Sequence, residues 1–430
     1  MRQLYVSVEI NGRQREVGSI IGDSSFNAEF RYSEDYLSAP DAMPISLSMP
    51  LKAEAYDPAQ TRNFFEGLLP EGFLRRAVAE NNRTDAGDYL SLLEMLGSEC
   101  LGAVQIKGPD YKNIEPCYRK LEPELMFALA AEGATRSVDI VVESHLSLTG
   151  ASGKIGAYLS KDGEWYLPIG SAPSTHILKQ SHIRYDEIVL NEQLSMKTAA
   201  HLGLSTPESS IVSAPGKGKT EEVLFATKRY DRVMDGSIGE ISGLIRPVRL
   251  HQEDFGQALG IPASAKYENP GEQHMKRMFD LLAMYSAAPI EDQMKLWDII
   301  VFHYLIGNTD GHIKNFALLY DRNLKSVRLA PAYDVISTVV YDTHSHQMAF
   351  SIGGESDWHK LCRASFENAA AETGLNRRLF MERFDRLEES FDRALSAAEE
   401  DLVSSGYGAA KELADMVRAC RRDKLLDTNN

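Results

Sequence analysis

The hydrophobic periodicity of the chain changes near residue 250, and that change limits the fold more than any other feature. Before it, short alternating segments dominate. Tyr5–Ile10 alternates as a half-buried strand does, Asn11-Gly12 is a hairpin turn, and Arg15–Ile21 is the return strand. Strand patterns recur at Leu101–Ile106, Lys154–Leu159, Trp165–Ile169, Ser174–Lys179, Ser209–Ser213 and Glu222–Lys228. Helical spacing interrupts them at Asn63–Glu80, Ala86–Leu96 and Tyr185–Leu202. Beyond residue 250 helical patterns take over, at Gln252–Leu259, Glu272–Ala287, Glu291–Ile306 and nearly all of Trp358–Leu426. A strand-like interruption, Phe316–Ala330, lies between them. The reading is an α+β chain in which a β-rich half precedes an α-rich half. At 430 residues it is too long for one small domain.

Charge and composition narrow the functional classes. The formal net charge is −16, so the chain is a poor stand-alone DNA binder, because phosphate contacts need clustered Lys and Arg. Four cysteines, none in a C-x-x-C pair, argue against a structural zinc site and fit a reducing cytoplasm. The N-terminus lacks the apolar core of a signal peptide. No apolar run approaches the roughly 20 residues of a membrane span. Leu296–Gly307 comes nearest, but it is short, holds Asp298 and His303, and reads as a buried helix.

The sharpest local signal is Ile306-Gly307-Asn308-Thr309-Asp310-Gly311-His312-Ile313-Lys314-Asn315, a polar loop between an apolar helix and the apolar strand Phe316–Leu319. Its D-x-x-x-x-N spacing is that of a kinase catalytic loop, in which the Asp accepts a hydroxyl proton and the Asn holds magnesium. On spacing alone, an Asp/Asn-rich turn is the better explanation. Asp334, in Leu329-Ala330-Pro331-Ala332-Tyr333-Asp334-Val335, stands where a kinase needs a second magnesium carboxylate. A lone Asp there is more commonly a turn or cap residue. The order Asp, Asn, Asp between buried elements is what gives the set weight.

Upstream, Ser174–Lys179 ends in a lysine that suits an ATP-binding strand if the strand is central, and an aggregation guard if it is an edge. Those two readings balance. Glu192 in the following helix is a candidate ion-pair partner for Lys179, although a solvated helix Glu is the more frequent outcome. Ser147-Leu148-Thr149-Gly150-Ala151-Ser152-Gly153-Lys154 is small and glycine-rich, as phosphate-approaching loops are, but fits neither the Walker A pattern nor G-x-G-x-x-G. Gly218-Lys219-Thr220 mimics a Walker tail, yet Ser213 stands where its first glycine should be. His303, His312, His344 and His346 near Asp310 are more simply structural or exposed than metal ligands. No G-x-S-x-G or H-E-x-x-H is present.

Taken together, these residues resemble the HipA family, the kinase toxins of bacterial type II toxin–antitoxin modules. The resemblance runs through almost the whole chain. It covers Ile45–Leu51, Phe64–Gly72, Gly102–Gln105, the Gly150 loop, Ser174–Lys179, Arg249-Leu250-His251-Gln252-Glu253-Asp254-Phe255, the Asp310 loop and Leu329–Asp334.

The resemblance implies a bilobal protein-kinase-like α+β fold, with an extra subdomain on the β-rich N-terminal half and an all-α C-terminal lobe. The expected segments are an N-terminal subdomain (1–110), an ATP-binding N-lobe (111–235) and a helical C-lobe (236–430). It implies a cytoplasmic, ATP-dependent serine/threonine kinase with Asp310 as catalytic base and Asn315 and Asp334 as Mg2+ ligands. Lys179 would meet the ATP phosphates, Ala151, Ser152, Gly153 and Lys154 would cover the nucleotide, and His312 would add a contact. Phe225, Thr227 and Tyr230 would border adenine. Ser147 matches a serine whose autophosphorylation switches the family's kinases off. The implied partners are a helix-turn-helix antitoxin, through which DNA is reached, and a protein substrate such as an aminoacyl-tRNA synthetase; a membrane is not among them. A catalytically weak co-repressor docked on such an antitoxin is the alternative. Two departures stand out: Lys228 and Tyr230 replace an acidic residue and a Phe in the hinge, and Gly153 replaces a larger loop residue.

Overall fold

The computed structural model describes residues 1–430 except 110–113, 133–136, 139, 141–152, 181–184, 186, 217–220, 343–344 and 428–430, and the side chains of 425–427. The chain forms two compact units. The first comprises Met1–Ile183, Val212–Ala263 and Leu319–Ser326; the second comprises Arg184–Ile211, Ser264–Leu318 and Val327–Asn430.

The first unit opens with the expected hairpin, Arg2–Ile10 and Arg13–Gly22. Its two-residue turn has Asn11 at φ 51° and Gly12 at φ 76°, the doubly left-handed backbone that matches strand twist. The hairpin lies at the centre of a four-stranded antiparallel sheet, flanked by Glu29–Tyr32 and Val104–Lys107. Asn63–Glu80 is not one helix. Pro58–Phe65 runs into a 3-10 turn, Glu66–Leu68, and a new helix starts at Gly72. Pro70 explains the break: it lacks an N–H and drives Leu69 into an extended conformation, φ −94°, ψ 157°.

A second, six-stranded sheet has the order Cys117–Lys120, Trp165–Ile169, Lys154–Leu159, His176–Gln180, Glu221–Lys228, Ser209–Pro215. Within this unit a buried ionic cluster ties the two sheets together. Glu99 receives Arg249 (2.5 and 2.8 Å), Arg232 (2.8 Å) and Arg229 (3.3 Å). Asp231 receives Arg229, and Glu9 on the first strand receives Arg249 and Arg246. Removed from water, each charge is held by opposite charges and backbone donors, as burial demands.

The segment Gln252–Leu259 is a short strand, Gln252–Asp254, followed by a single helical turn, Phe255–Ala258, and not a continuous helix. Its residues are gripping devices. His251 Nε2 meets the Ile45 carbonyl at 2.8 Å, Glu253 accepts from Ser46 Oγ (2.5 Å) and the Leu47 N–H (3.0 Å), and Asp254 forms a capping box with Gln257.

The second unit is mainly helical: Ile188–His201, His274–Tyr285, Pro289–Ile306, Arg363–Glu372, Arg377–Ser404 and Ala410–Asp427. A hairpin absent from the sequence reading, Gln347–Ile352 with Glu355–Asp357, also belongs to it. Trp297 is fully buried and meets Phe366 and Phe380 edge-on. Asp298, the charge inside the apolar helix, is held by Arg383 Nε at 2.9 Å. Among the described residues no helix is long and apolar enough to cross a membrane.

Candidate active site

In the second unit the helix Pro289–Ile306 ends at Gly307, whose φ of 73° is left-handed. The Gly307 N–H donates to the Tyr304 carbonyl (3.3 Å) and the Asn308 N–H to the His303 carbonyl (2.8 Å), a Schellman stop that turns the chain into the polar loop. The loop is then fastened from the far side. The N–H groups of Thr338 and Val339 both donate to the Gly307 carbonyl, and Thr338 Oγ1 accepts from the Thr309 N–H at 2.8 Å. Asn308 is buried and its Oδ1 accepts from the Asp310 N–H at 3.1 Å. A 3-10 turn, Ile313–Asn315, closes the loop.

His303 forms the floor. It is fully buried and stacks on Phe316 with ring centroids 5.4 Å apart. Burial pulls its pKa down to about 3, so the ring is neutral at working pH. A β-carbon at Gly311 would lie 2.0 Å from His303 Nδ1, so the loop crosses the imidazole only because residue 311 is glycine.

Asp334 reaches the same place from its own segment. Asp292 in the first turn of Pro289–Ile306 accepts from the Leu329 N–H (2.9 Å) and from Arg328 Nε (2.9 Å), fixing the strand that leads in. The Tyr333 hydroxyl donates to the Lys314 carbonyl at 2.9 Å, and Asn315 Nδ2 donates to the Asp334 carbonyl at 3.4 Å. Asp334 itself has φ 57°, a conformation costing a non-glycine residue about 1 kcal/mol or more. Three residues on, Asn191 grips Ser337 at both ends: Nδ2 donates to its carbonyl and Oδ1 accepts from its N–H, each 2.9 Å.

The structure therefore brings Asp310, His312, Asn315 and Asp334 into one loop cluster. An amide oxygen and a carboxylate are hard-oxygen donors of the kind magnesium takes, usually with one or two protein ligands and the rest from water and phosphate. Asn315 uses its nitrogen on Asp334, leaving Oδ1 as the oxygen for a cation. Among the described residues no group of three or more His, Cys, Asp or Glu could hold a metal.

The other expected residues lie in the first unit. His176–Gln180 is a central strand, which removes the edge-strand explanation for Lys179. Lys154, Lys179 and Phe225 face one another across three neighbouring strands, and opposite residues of antiparallel strands share a face. Both lysines are buried, and Lys179 Nζ lies 5.5 Å from the Phe225 ring. Gly153 precedes this strand; Thr227 lies opposite Ile177, and Tyr230 donates to Gln252 Oε1. Lys228 is exposed, whereas its neighbour Arg229 belongs to the buried ionic cluster. Ser147, Ala151 and Ser152, with the Gly218–Thr220 turn and His344, lie outside the described residues.

Sequence reasoning missed Thr338, Asn191 and Tyr267, whose hydroxyl donates to Asp310 Oδ1 at 2.5 Å. No local pattern marks them, since each acts on a residue far away in the chain.

Comparison with known proteins accounts for both units. The model of the HipA N-terminal domain matches residues 8–107, and that of the HipA-like C-terminal domain matches residues 146–395. A Sinorhizobium fredii protein named putative kinase Y4mE is 34% identical over 396 residues, covering 90% of each chain. The serine/threonine-protein kinase toxin HipA of Shewanella oneidensis is 25% identical over 88% of this chain and 86% of its own. The fold superposes on a Shewanella oneidensis HipA solved with HipB and its operator DNA, with a TM-score of 0.74 at 21% identity, over 96% of this chain and 97% of that one. With both family domains matched in order and a relative above 30% identity along nine-tenths of its length, the chain belongs to the HipA family.

Proposed function

We propose that this chain is an ATP-dependent serine/threonine protein kinase acting as the toxin of a toxin–antitoxin pair. The observation that carries the reading is the joining of the Asp310–Asn315 loop to Asp334 through the Asn315 amide. Asp310 takes the proton of an incoming serine hydroxyl. The serine oxygen forms a bond to the γ-phosphorus, the bond to the β-phosphate oxygen breaks, and ADP leaves. Asn315 and Asp334 hold magnesium, which when bound offsets phosphate charge. Lys179, with Lys154 opposite it on the same sheet face, meets the α- and β-phosphates. His312 adds a nucleotide contact, Phe225, Thr227 and Tyr230 border the adenine, and Ala151, Ser152 and Gly153 cover the nucleotide. Catalysis of this kind is mostly positioning and electrostatics.

The division into 1–110, 111–235 and 236–430 is our functional reading of the chain. A helix-turn-helix antitoxin neutralises the kinase and carries it to DNA; the Shewanella oneidensis HipA, solved with HipB and its operator DNA, supports this. The substrate is a serine on a component of translation, such as an aminoacyl-tRNA synthetase, and phosphorylation of Ser147 switches the enzyme off.

Incubation with γ-labelled ATP and magnesium tests the reading. The wild type should become labelled on Ser147, and Asp310→Ala should not. A wild type that binds no ATP and takes up no label would instead be a co-repressor that works by docking on the antitoxin.

A further inference from the structure

We infer that Tyr267 is a positioning residue for phosphoryl transfer: it reserves Oδ1 of Asp310 and leaves Oδ2 to receive the acceptor's proton. This rests on the kinase reading above. The phenol hydroxyl donates to Asp310 Oδ1 at 2.5 Å, the short distance expected for an O–H donating to a carboxylate. An ionised carboxylate offers two oxygens and about four lone-pair directions, so one hydrogen bond fixes its rotation without consuming it.

The tyrosine is held so that it can do this. Its neighbour Glu268 is pinned to the strand Gln347–Ile352. The Glu268 N–H donates to the Ala349 carbonyl (2.8 Å), and Glu268 Oε2 accepts from the N–H (2.8 Å) and hydroxyl (2.7 Å) of Ser351. Glu268 Oε1 accepts from the His274 N–H at 2.6 Å, which ties the arm to the start of a helix. The ring, by contrast, is 48% exposed and buries little. It meets His312 edge-on at 5.4 Å, and Lys266 Nζ lies 5.5 Å from its centroid. A large aromatic left half in solvent on an anchored backbone contributes little to a core. Its contacts reach Asp310, the proposed base, and His312, the proposed nucleotide contact.

Tyr267→Phe keeps the ring and its edge contact and removes only the donor. If Tyr267 positions Asp310, kcat falls about 10- to 100-fold, as expected for a displaced catalytic group, while KM for ATP and the melting temperature stay at wild-type values. A merely structural tyrosine would lower the melting temperature and leave kcat at its wild-type value. Wild-type kcat would overturn the inference. So would a rate increase, which would make the tyrosine an obstacle standing where the acceptor binds. A wild-type protein that transfers no phosphate in the same assay would sink the kinase reading itself.

Discussion

At position 311 there is no room for a β-carbon. The chain must pass over a buried, neutral imidazole, and an alanine methyl would stand 2.0 Å from His303 Nδ1. Nothing in the backbone there calls for glycine, since residue 311 has no left-handed φ. Gly311→Ala should therefore fold, push the loop off His303, and lower phosphoryl transfer by about 100-fold, the scale of an ångström-level misplacement. Circular dichroism and a transfer assay together check it; full activity would mean that His303 yields without moving Asp310. A second residue-scale consequence concerns Glu253. Burial raises its pKa to about 7, against the opposing pull of Ser46, Tyr320 and the Leu47 N–H. The folded state thus holds a proton between about pH 4.5 and 7 that the unfolded chain has released. That contribution, of order 3 kcal/mol, is present at low pH and lost as pH rises through 7. His251, pulled down from 6.5 to about 4 by burial, gives the opposite slope across nearly the same window. The test is therefore the difference between wild type and Glu253→Gln in urea unfolding at pH 5, 7 and 9. Relative to the variant, the wild type should lose stability between pH 5 and 7 and little more by pH 9, and a difference that does not change with pH would remove Glu253 as its source. Glu253 also marks where reading from sequence succeeded and stopped: the Arg249–Phe255 motif was visible, but its role in gripping Ile45–Leu47 was not, because a grip has two sides some 200 residues apart in sequence.

Among the elements, the helix Pro289–Ile306 and its stop position the loop. Its apolar length and the following polar run made both legible, because periodicity is a local property and a Schellman stop needs glycine. What was illegible is the element packed behind the loop. Asn191 lies on the helix Ile188–His201, buried along most of its length, and clamps Ser337 in the segment leaving Asp334. A single asparagine in a helix carries no signal of this, and only the fold brings it 146 positions along the chain to its partner. Asn191→Leu should leave the buried N–H and carbonyl of Ser337 without the amide that satisfies them. The expected loss is about 1–3 kcal/mol of unfolding free energy, read from the urea midpoint at unchanged slope. Because the clamp lies three residues from Asp334, nucleotide binding should weaken as well. A variant with a lowered midpoint but wild-type nucleotide affinity would show that the clamp serves stability alone.

For the molecule as a whole, the change in periodicity near residue 250 located the two characters of the chain but not the membership of its units. Residues 184–211 join the helical unit and Leu319–Ser326 returns to the β-rich one, because periodicity reports how an element is buried and not what buries it. The ionic cluster shows what the first unit gains from its composition. Glu9 comes from the first sheet, Glu99 from the connection before Val104–Lys107, and Arg229, Asp231, Arg232 and Arg249 from the chain after Glu221–Lys228. Buried pairs are weak evidence for net stability, but breaking one is costly, because the stranded charge cannot reach water. Glu99→Gln leaves three arginines facing one carboxylate fewer; burial opposes ionisation of Glu99, and Arg249, Arg232 and Arg229 outweigh it and hold the carboxyl below its usual range. The expected cost is about 3–5 kcal/mol. The distribution of that cost is the sharper test. If the cluster joins the two sheets into one cooperative body, amide exchange should accelerate together in Arg2–Ile10 and Glu221–Lys228. Loss of protection in one strand with the other unchanged would show that the sheets open separately, and that the cluster holds a local turn instead of the unit.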